Sequence, residues 1–361
     1  MTDRPAPPAS PVAPAAAPAP AASLSPVEIA AQTSAALARI AMRIVPGATG
    51  VERVARLSGG ASQETWSFAV VAPEGTTRWI MRRQPLAAVG ERSTLSCGLD
   101  VEAKLVGLAR EAGVPVPRIA CELRPGDGLG DGFVSEHVDG ETLARRILRE
   151  DAFARARPKL ARQVGEALAK IHSIAPGRLP ALRRAPAEGE VAAYRARYAS
   201  YGTPKPVFEL ALKWLESNLP SNSGPLALVH GDFRHGNFII GPDGLRAVID
   251  WELAHLGDPM EDLGWICVNS WRYGYPLPVG GFGTREELFA GYEAAGGRRV
   301  DRAAVHFWEL LGTLKWGLMC DGMGMAFKTG AERTLERAAV GRRASEAEID
   351  VMQLLAPRNG G

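Results

Sequence analysis

The stretch Leu228-Val-His-Gly-Asp-Phe-Arg-His-Gly-Asn-Phe-Ile-Ile240, followed by Ala247-Val-Ile-Asp-Trp-Glu252, decides the reading of this chain. It carries Asp232, then Asn237 five positions on, then Asp250 after the turn cluster Gly241-Pro-Asp-Gly244. The apolar runs on either side of that cluster, 237–240 and 245–249, read as an antiparallel pair. Pairing returns Asp250 to the neighbourhood of Asn237. One carboxylate and one amide oxygen suit Mg²⁺, which takes hard oxygen ligands and keeps several waters, and Asp232 is left to orient a nucleophile. Taken singly, a capping Asp, a turn Asn and a strand-end Asp are the plainer explanations. Together at this spacing they favour a site for phosphoryl transfer.

These residues resemble the aminoglycoside phosphotransferase family, in which His-Gly-Asp is followed by Asn and then by an Ile-Asp-Trp-type metal motif. The closer resemblance is to the subgroup related to the kinase domain of acyl-CoA dehydrogenase family proteins. It rests on Gly59-Gly60-Ala-Ser62, Ile80-Met-Arg82-Arg83, Val114-Pro-Val-Pro117 and Ile249-Asp-Trp-Glu-Leu253 with Leu256-Gly-Asp-Pro259, in that order. Several motifs in fixed order make a chance match a poor explanation. The resemblance implies a protein-kinase-like α+β fold with a small N-terminal antiparallel-sheet lobe and a larger, mainly helical C-terminal lobe. It further implies transfer of the γ-phosphoryl group of ATP or GTP to a small-molecule hydroxyl, with Mg²⁺ as cofactor, Asp232 catalytic, and Asn237 and Asp250 on the metal. The alternatives are an aminoglycoside or other antibiotic phosphotransferase, and a nucleotide-binding pseudokinase acting as an interaction module. A protein substrate is disfavoured, since Trp-Glu-Leu follows Asp250 and no activation-loop pattern is present.

Composition agrees. A chain of 361 residues with 46% hydrophobic content can bury a large core, and a formal charge of +2 without a basic arm excludes nucleic-acid tracking as its business. Cys97, Cys121, Cys267 and Cys320 lack metal-type spacing and read as buried, reduced thiols. Residues 1–25, dominated by Pro, Ala and Ser, read as a disordered tail. No signal-type or membrane-spanning run follows, so cytoplasmic localisation is the expectation. Residues 26–139 should hold an N-terminal helix and the nucleotide-binding lobe, and residues 140–361 the catalytic and substrate-binding lobe.

The N-terminal part opens on a helix from Pro26 toward Ile44, capped by Ser25, with Ile29, Ala36, Ile40 and Ile44 along one face. Val54–Leu57, Trp66–Val71 and Arg78–Arg82 then read as a three-strand meander. The turn holding Gly59, Gly60 and Ser62 can let a backbone approach phosphate, although a glycine pair between strands is more often a plain hairpin. Arg82 stands where kinase-like folds place a phosphate-gripping Lys, and Glu102, in a helix over Leu99–Ala112, is its expected partner. Glu136, His137 and Val138 resemble a hinge whose backbone reads a purine edge.

Farther on, Leu160, Val164, Leu168 and Ile171 mark an amphipathic core helix over Lys159–Ser173, which His172 ends in a structural role. Helices are also expected over Glu286–Ala295, Arg302–Met319 and Ala331–Arg343. His230 and Asp262 are expected supports of the catalytic loop, while Arg234 reads either as a contact to the transferring phosphate or as a solvated charge. The C-terminal region mixes acidic and basic residues without net attraction for a polycation. With the subgroup resemblance, that implies a neutral or anionic hydroxylated acceptor, such as a hydroxyacyl compound free or on coenzyme A.

Overall fold

A computed structural model describes residues 26–57, 63–85, 95–221 and 224–356; the expected tail 1–25, the capping Ser25 and the loop residues Gly59, Gly60 and Ser62 lie outside them. Helix α1 (Pro26–Ile44) leads into strands β1 (Gly50–Leu57), β2 (Glu64–Ala72) and β3 (Gly75–Arg83). Helix α2 (Leu99–Glu111), β4 (Ile119–Glu122) and β5 (Gly132–Glu136) complete the sheet, in the order β1-β2-β3-β5-β4 with every pairing antiparallel. The expected meander is therefore three strands of a five-stranded sheet.

One face of this sheet is closed by α1. Alternation along β2 and β3 puts Trp66, Phe68, Val70 and Met81 into a common cluster, where they meet Ala36, Leu37, Ile40 and Ala41 of the helix. The same period of two sends the consecutive arginines of β3 to opposite faces. Arg83 is fully buried against Glu64 at 2.9 Å, under the sheet, while Arg82 emerges on the side that faces the rest of the chain.

The remainder is mostly helical: α3 (Ala144–Arg149), α4 (Arg157–His172), α5 (Ala187–Ser200), α6 (Pro206–Ser217), α7 (Met260–Trp265), α8 (Arg285–Ala294), α9 (Arg302–Thr329), α10 (Leu335–Gly341) and α11 (Ala344–Leu355). Two small sheets sit among them. Strand β10 (His255–Gly257) lies between β6 (Arg184–Ala185) and β7 (Ala227–Val229), and β8 (Phe238–Gly241) pairs with β9 (Gly244–Val248) as a hairpin. The second core cluster joins α4, whose Leu160, Val164, Leu168 and Ile171 are all buried as their spacing predicts, to α7, α8 and α9. The protein is thus α+β, with an antiparallel sheet first and a larger helical part after it.

Three expectations differ from the structure. Helix α9 runs ten residues past Met319, through Gly322 and Gly324. The segment expected as one helix over 331–343 is instead the short α10, with a further helix, α11, beyond it. Of the four free cysteines, Cys267 and Cys320 are buried but Cys97 and Cys121 only partly so.

Candidate active site

The catalytic loop leaves β7 at His230, and one carboxylate gathers its main chain. Asp262, on α7 and fully buried, accepts from the His230 amide at 2.8 Å through Oδ2 and from the Gly231 amide at 3.0 Å through Oδ1. His172, at the end of α4, lies with Nε2 3.1 Å from the same Oδ2 and Nδ1 3.0 Å from the Tyr292 hydroxyl. A carboxylate only accepts, so Nε2 carries the hydrogen on that side, and Nδ1 pairs with the Tyr292 hydroxyl, which can both donate and accept. Burial pushes the Asp262 carboxyl up, but the His172 bond and the His230 contacts outweigh it and hold the group below its usual range. Gly231 is at φ +80°, and a Cβ there would lie 2.5 Å from the Leu253 carbonyl oxygen, so the turn admits no side chain.

His230 fixes the other side of the loop. Its Nε2 is 3.2 Å from the Ile249 carbonyl oxygen, and its Nδ1 receives the Asp232 amide at 3.3 Å. These partners require the neutral ring with the hydrogen on Nε2, and burial favours that form by lowering the pKa.

Asp232 is held by three side-chain donors. Oδ1 accepts from Arg234 Nε and from the Trp265 indole, both at 2.9 Å, and Oδ2 from Asn237 Nδ2 at 2.7 Å. Asn237 Nδ2 also donates to the Asp232 carbonyl at 2.8 Å, so the amide's oxygen faces the opposite way. Strand pairing continues past β8 and β9, with the Ile249 amide on the Asn237 carbonyl at 2.9 Å, and this sets Asp250 beside Asn237. Asp250 adopts φ +69°, unusual for a non-glycine residue, and keeps a partly exposed carboxylate at the cleft.

Arg82 reaches that carboxylate from the sheet. Its Nη2 is 2.7 Å from Asp250 Oδ1, its Nη1 is 3.0 Å from Glu102 Oε1 on α2, and Gln63 Oε1 accepts from Nε and Nη2 at 3.1 and 2.8 Å. Burial works against the Arg82 charge, yet Glu102 and then Asp250 outweigh it and raise the pKa. Glu102 is buried completely, and burial pushes its carboxyl up to about 7 against the pull of Arg82. The pair spans 20 residues of chain and ties α2 to β3.

The fold thus brings Asp232, Asn237, Asp250, Arg82, Glu102, His230 and Asp262 to one cleft. The hinge segment differs from the expectation that its amides are open to a base. Glu136 donates to the Arg118 carbonyl at 2.9 Å and His137 to the Arg78 carbonyl at 3.1 Å, so both amides are spent within the sheet. The Glu136 carboxylate accepts from the Arg118 amide at 3.0 Å. Glu136 and Val138 line a hollow of about 800 Å³ behind the hinge, between Val114 and Lys170, away from Asp232. The His137 ring sits 3.7 Å from Asp139, its pKa lowered by burial.

Four contributors escaped the sequence reading. Trp265 had a signal, for it lies three residues after Asp262 and so shares that residue's helix face. His172 is indeed structural, but its work is on Asp262 at the catalytic loop rather than elsewhere in the core. Gln63 and Lys315 had none: Lys315, deep in α9, donates to the Gly231 carbonyl at 3.2 Å and lies 4.4 Å over the Trp265 ring.

The profile of the phosphotransferase enzyme family matches residues 53–308. An acyl-CoA dehydrogenase family member 11 from Gallus gallus is 30% identical over 248 residues, 63% of this chain and 30% of that protein. An acyl-CoA dehydrogenase of Arabidopsis thaliana is 28% identical over 60% of this chain and 28% of its own length. The chain therefore spans less than a third of these relatives. A solved protein from Ralstonia eutropha JMP134, assigned as an aminoglycoside phosphotransferase, superposes with a TM-score of 0.70 at 20% identity, over 89% of this chain and 97% of that one, and shares the fold.

Proposed function

Since the chain belongs to the phosphotransferase enzyme family, we propose that it is a small-molecule kinase that moves the γ-phosphoryl group of ATP or GTP to an acceptor hydroxyl. The observation that carries this is the orientation of Asp232. A carboxylate already fixed by Arg234, Trp265 and Asn237 has lost the freedom that a solvated Asp would keep, so its geometry toward an incoming hydroxyl is set before substrate arrives.

Asn237 and Asp250 fit Mg²⁺. An amide oxygen and a carboxylate are hard ligands, strand pairing sets the two residues side by side, and they would hold the ion there. When bound, Mg²⁺ neutralises phosphate charge. Arg82 grips the nucleotide phosphates and is braced by Glu102; on binding, it has to give up its contact with Asp250. The Val138 backbone meets the base, with Glu136 and His137 fixing the hinge through their own bonds. Asp232 aligns the acceptor hydroxyl and takes its proton late, in a loose transition state. His230 and Asp262 keep the loop in register.

The acceptor is a neutral or anionic hydroxylated metabolite, with a hydroxyacyl compound, free or on coenzyme A, as the reading that the acyl-CoA dehydrogenase names of the relatives support. Asp232 is paired with Arg234 at 2.9 Å, and Glu309 with Arg272 at 3.0 Å and Arg285 at 2.7 Å, so neither carboxylate stands unpaired to attract a polycation. No helix among the described residues is long and apolar enough to cross a membrane, and we place the protein in the cytoplasm.

The test is phosphate transfer from Mg-ATP and Mg-GTP across hydroxyacyl-CoAs, free hydroxy acids and aminoglycosides, with products identified by mass spectrometry. Phosphorylated acyl compounds are expected. Phosphorylation of kanamycin-type acceptors alone overturns the acceptor class, and nucleotide binding without any transfer leaves a pseudokinase.

A further inference from the structure

Resting on the reading of the site as a phosphotransferase, we propose that Arg234 is a catalytic residue whose guanidinium holds the transferring phosphoryl group on the acceptor side of the cleft. Its side chain is fixed in three directions. Nε donates to Asp232 Oδ1 at 2.9 Å, Nη1 donates to the His235 carbonyl at 2.8 Å, and the guanidinium carbon lies 4.5 Å over the Trp271 ring. The loop is built around it. Gly236 sits at φ +99°, and a Cβ there would come within 2.8 Å of Nη1.

What these contacts leave open is the Nη2 edge, which meets no protein acceptor among the described residues, on a side chain still 25% exposed. A freely solvated arginine would not need a glycine, an indole face and a carboxylate to hold it still. An arginine serving only Asp232 would not need to keep a donor edge free. The position is also the right one electrostatically. The guanidinium touches the proposed base directly, at 2.9 Å, and lies within electrostatic reach of the proposed metal ligand Asp250.

The cleft's other cations cannot do this work. Arg82 approaches from the sheet, on the nucleotide side, and is occupied by Glu102, Asp250 and Gln63. Lys315 is spent on the Gly231 carbonyl and the Trp265 face, behind the loop. In the transfer, the bond from the acceptor oxygen to phosphorus forms, the bond from phosphorus to the β,γ-bridging oxygen breaks, and the hydroxyl proton passes to Asp232. Negative charge spreads over three equatorial oxygens on the way. Arg234 donates hydrogen bonds to those oxygens from its free edge and neither gains nor loses a proton. A fixed donor that meets charge as it develops lowers the barrier more than it strengthens ground-state binding.

The experiment compares MgADP alone with MgADP plus aluminium fluoride, a mimic of the phosphoryl group in flight, by calorimetry on the wild-type chain, Arg234→Gln and Arg234→Lys. The wild type should bind the pair more tightly than MgADP. Arg234→Gln should keep MgADP affinity within about two-fold while losing about 10²-fold or more of the extra tightening. Arg234→Lys should recover part of it, because an ammonium supplies charge without the fork, and it carries the test if Arg234→Gln fails to fold. Tightening in both variants equal to that of the wild type overturns the proposal, as does an equal loss of MgADP affinity, which would put Arg234 on the nucleotide. A wild type that binds no MgADP overturns the kinase reading itself.

Discussion

Replacing Asp262 by Asn tests how the catalytic loop is held, because it keeps shape and removes one charge. The carboxylate accepts three hydrogen bonds: His230 N and His172 Nε2 on Oδ2, and Gly231 N on Oδ1. An amide has one oxygen. Its better orientation keeps the oxygen toward His230 and His172 and turns the NH₂ group to Gly231, donor against donor. The orphaned Gly231 amide then costs about 1–3 kcal/mol, and each of the two remaining bonds, no longer charge-assisted, loses about 1 kcal/mol. The sum, about 3–5 kcal/mol, is a large part of an ordinary folding free energy of about 5–15 kcal/mol. Displacement of the loop by about 1 Å would also cost about 10²-fold in turnover. Urea unfolding at pH 7 measures the first quantity, and turnover at a temperature where the variant is fully folded measures the second. The pH dependence has a definite sign. The folded pKa of Asp262 lies below its ordinary 3.8, so its contribution is present above that value and is lost as pH falls through the folded one. The gap between wild type and variant should therefore close in acid. A variant within about 0.5 kcal/mol of wild type and with unchanged turnover would refute this account of Asp262.

Asp232→Asn should abolish most turnover with nucleotide binding largely intact, whereas Asp250→Ala should weaken Mg²⁺-dependent nucleotide binding; calorimetry and single-turnover rates separate the two, and wild-type turnover in Asp232→Asn would remove that residue from the chemistry. Arg82→Ala and Glu102→Gln should lose nucleotide affinity non-additively in a double-mutant cycle, and additive losses would mean the brace is not used. In the same series, a folded Glu102 pKa of about 7 against an ordinary 4.5 gives this carboxyl a stabilising contribution that is full below 4.5 and lost as pH rises through about 7. The stability of the wild type relative to Glu102→Gln, followed by urea midpoint, should therefore fall over that window. Gly231→Ala should destabilise by about 1–3 kcal/mol through left-handed strain and collision with the Leu253 carbonyl, with near-complete loss of turnover; an alanine variant with normal turnover would show that the loop can move aside.

Local spacing was enough to bring the candidate site residues together. Asp232 and Asn237 share one loop, and a short hairpin needs only its turn residues to return Asp250 to them. The pairing of Arg82 with Glu102 was legible only through the resemblance to kinase-like folds, which place a cation on this strand and its carboxylate partner on the following helix. Helix α9 shows where such reasoning ends. Gly322 and Gly324 weaken a helix by propensity, yet α9 runs through both, and their missing side chains leave space for the Tyr201 hydroxyl and for Gly341 of α10. Backbone contact between helices decided what local preference could not. Lys315 reaches the loop from 84 residues away and His172 reaches its support Asp262 from 90, and nothing within a helical window specifies what its buried face will meet. Sequence by itself therefore determined which candidate residues come together, since Asp232, Asn237 and Asp250 sit in segments folded by near neighbours. Only the tertiary structure decided what completes the hold on Asp232 and its loop, because Trp265 and the loop's supports Asp262, His172 and Lys315 arrive from α7, α4 and α9, and their meeting is a property of the packed core.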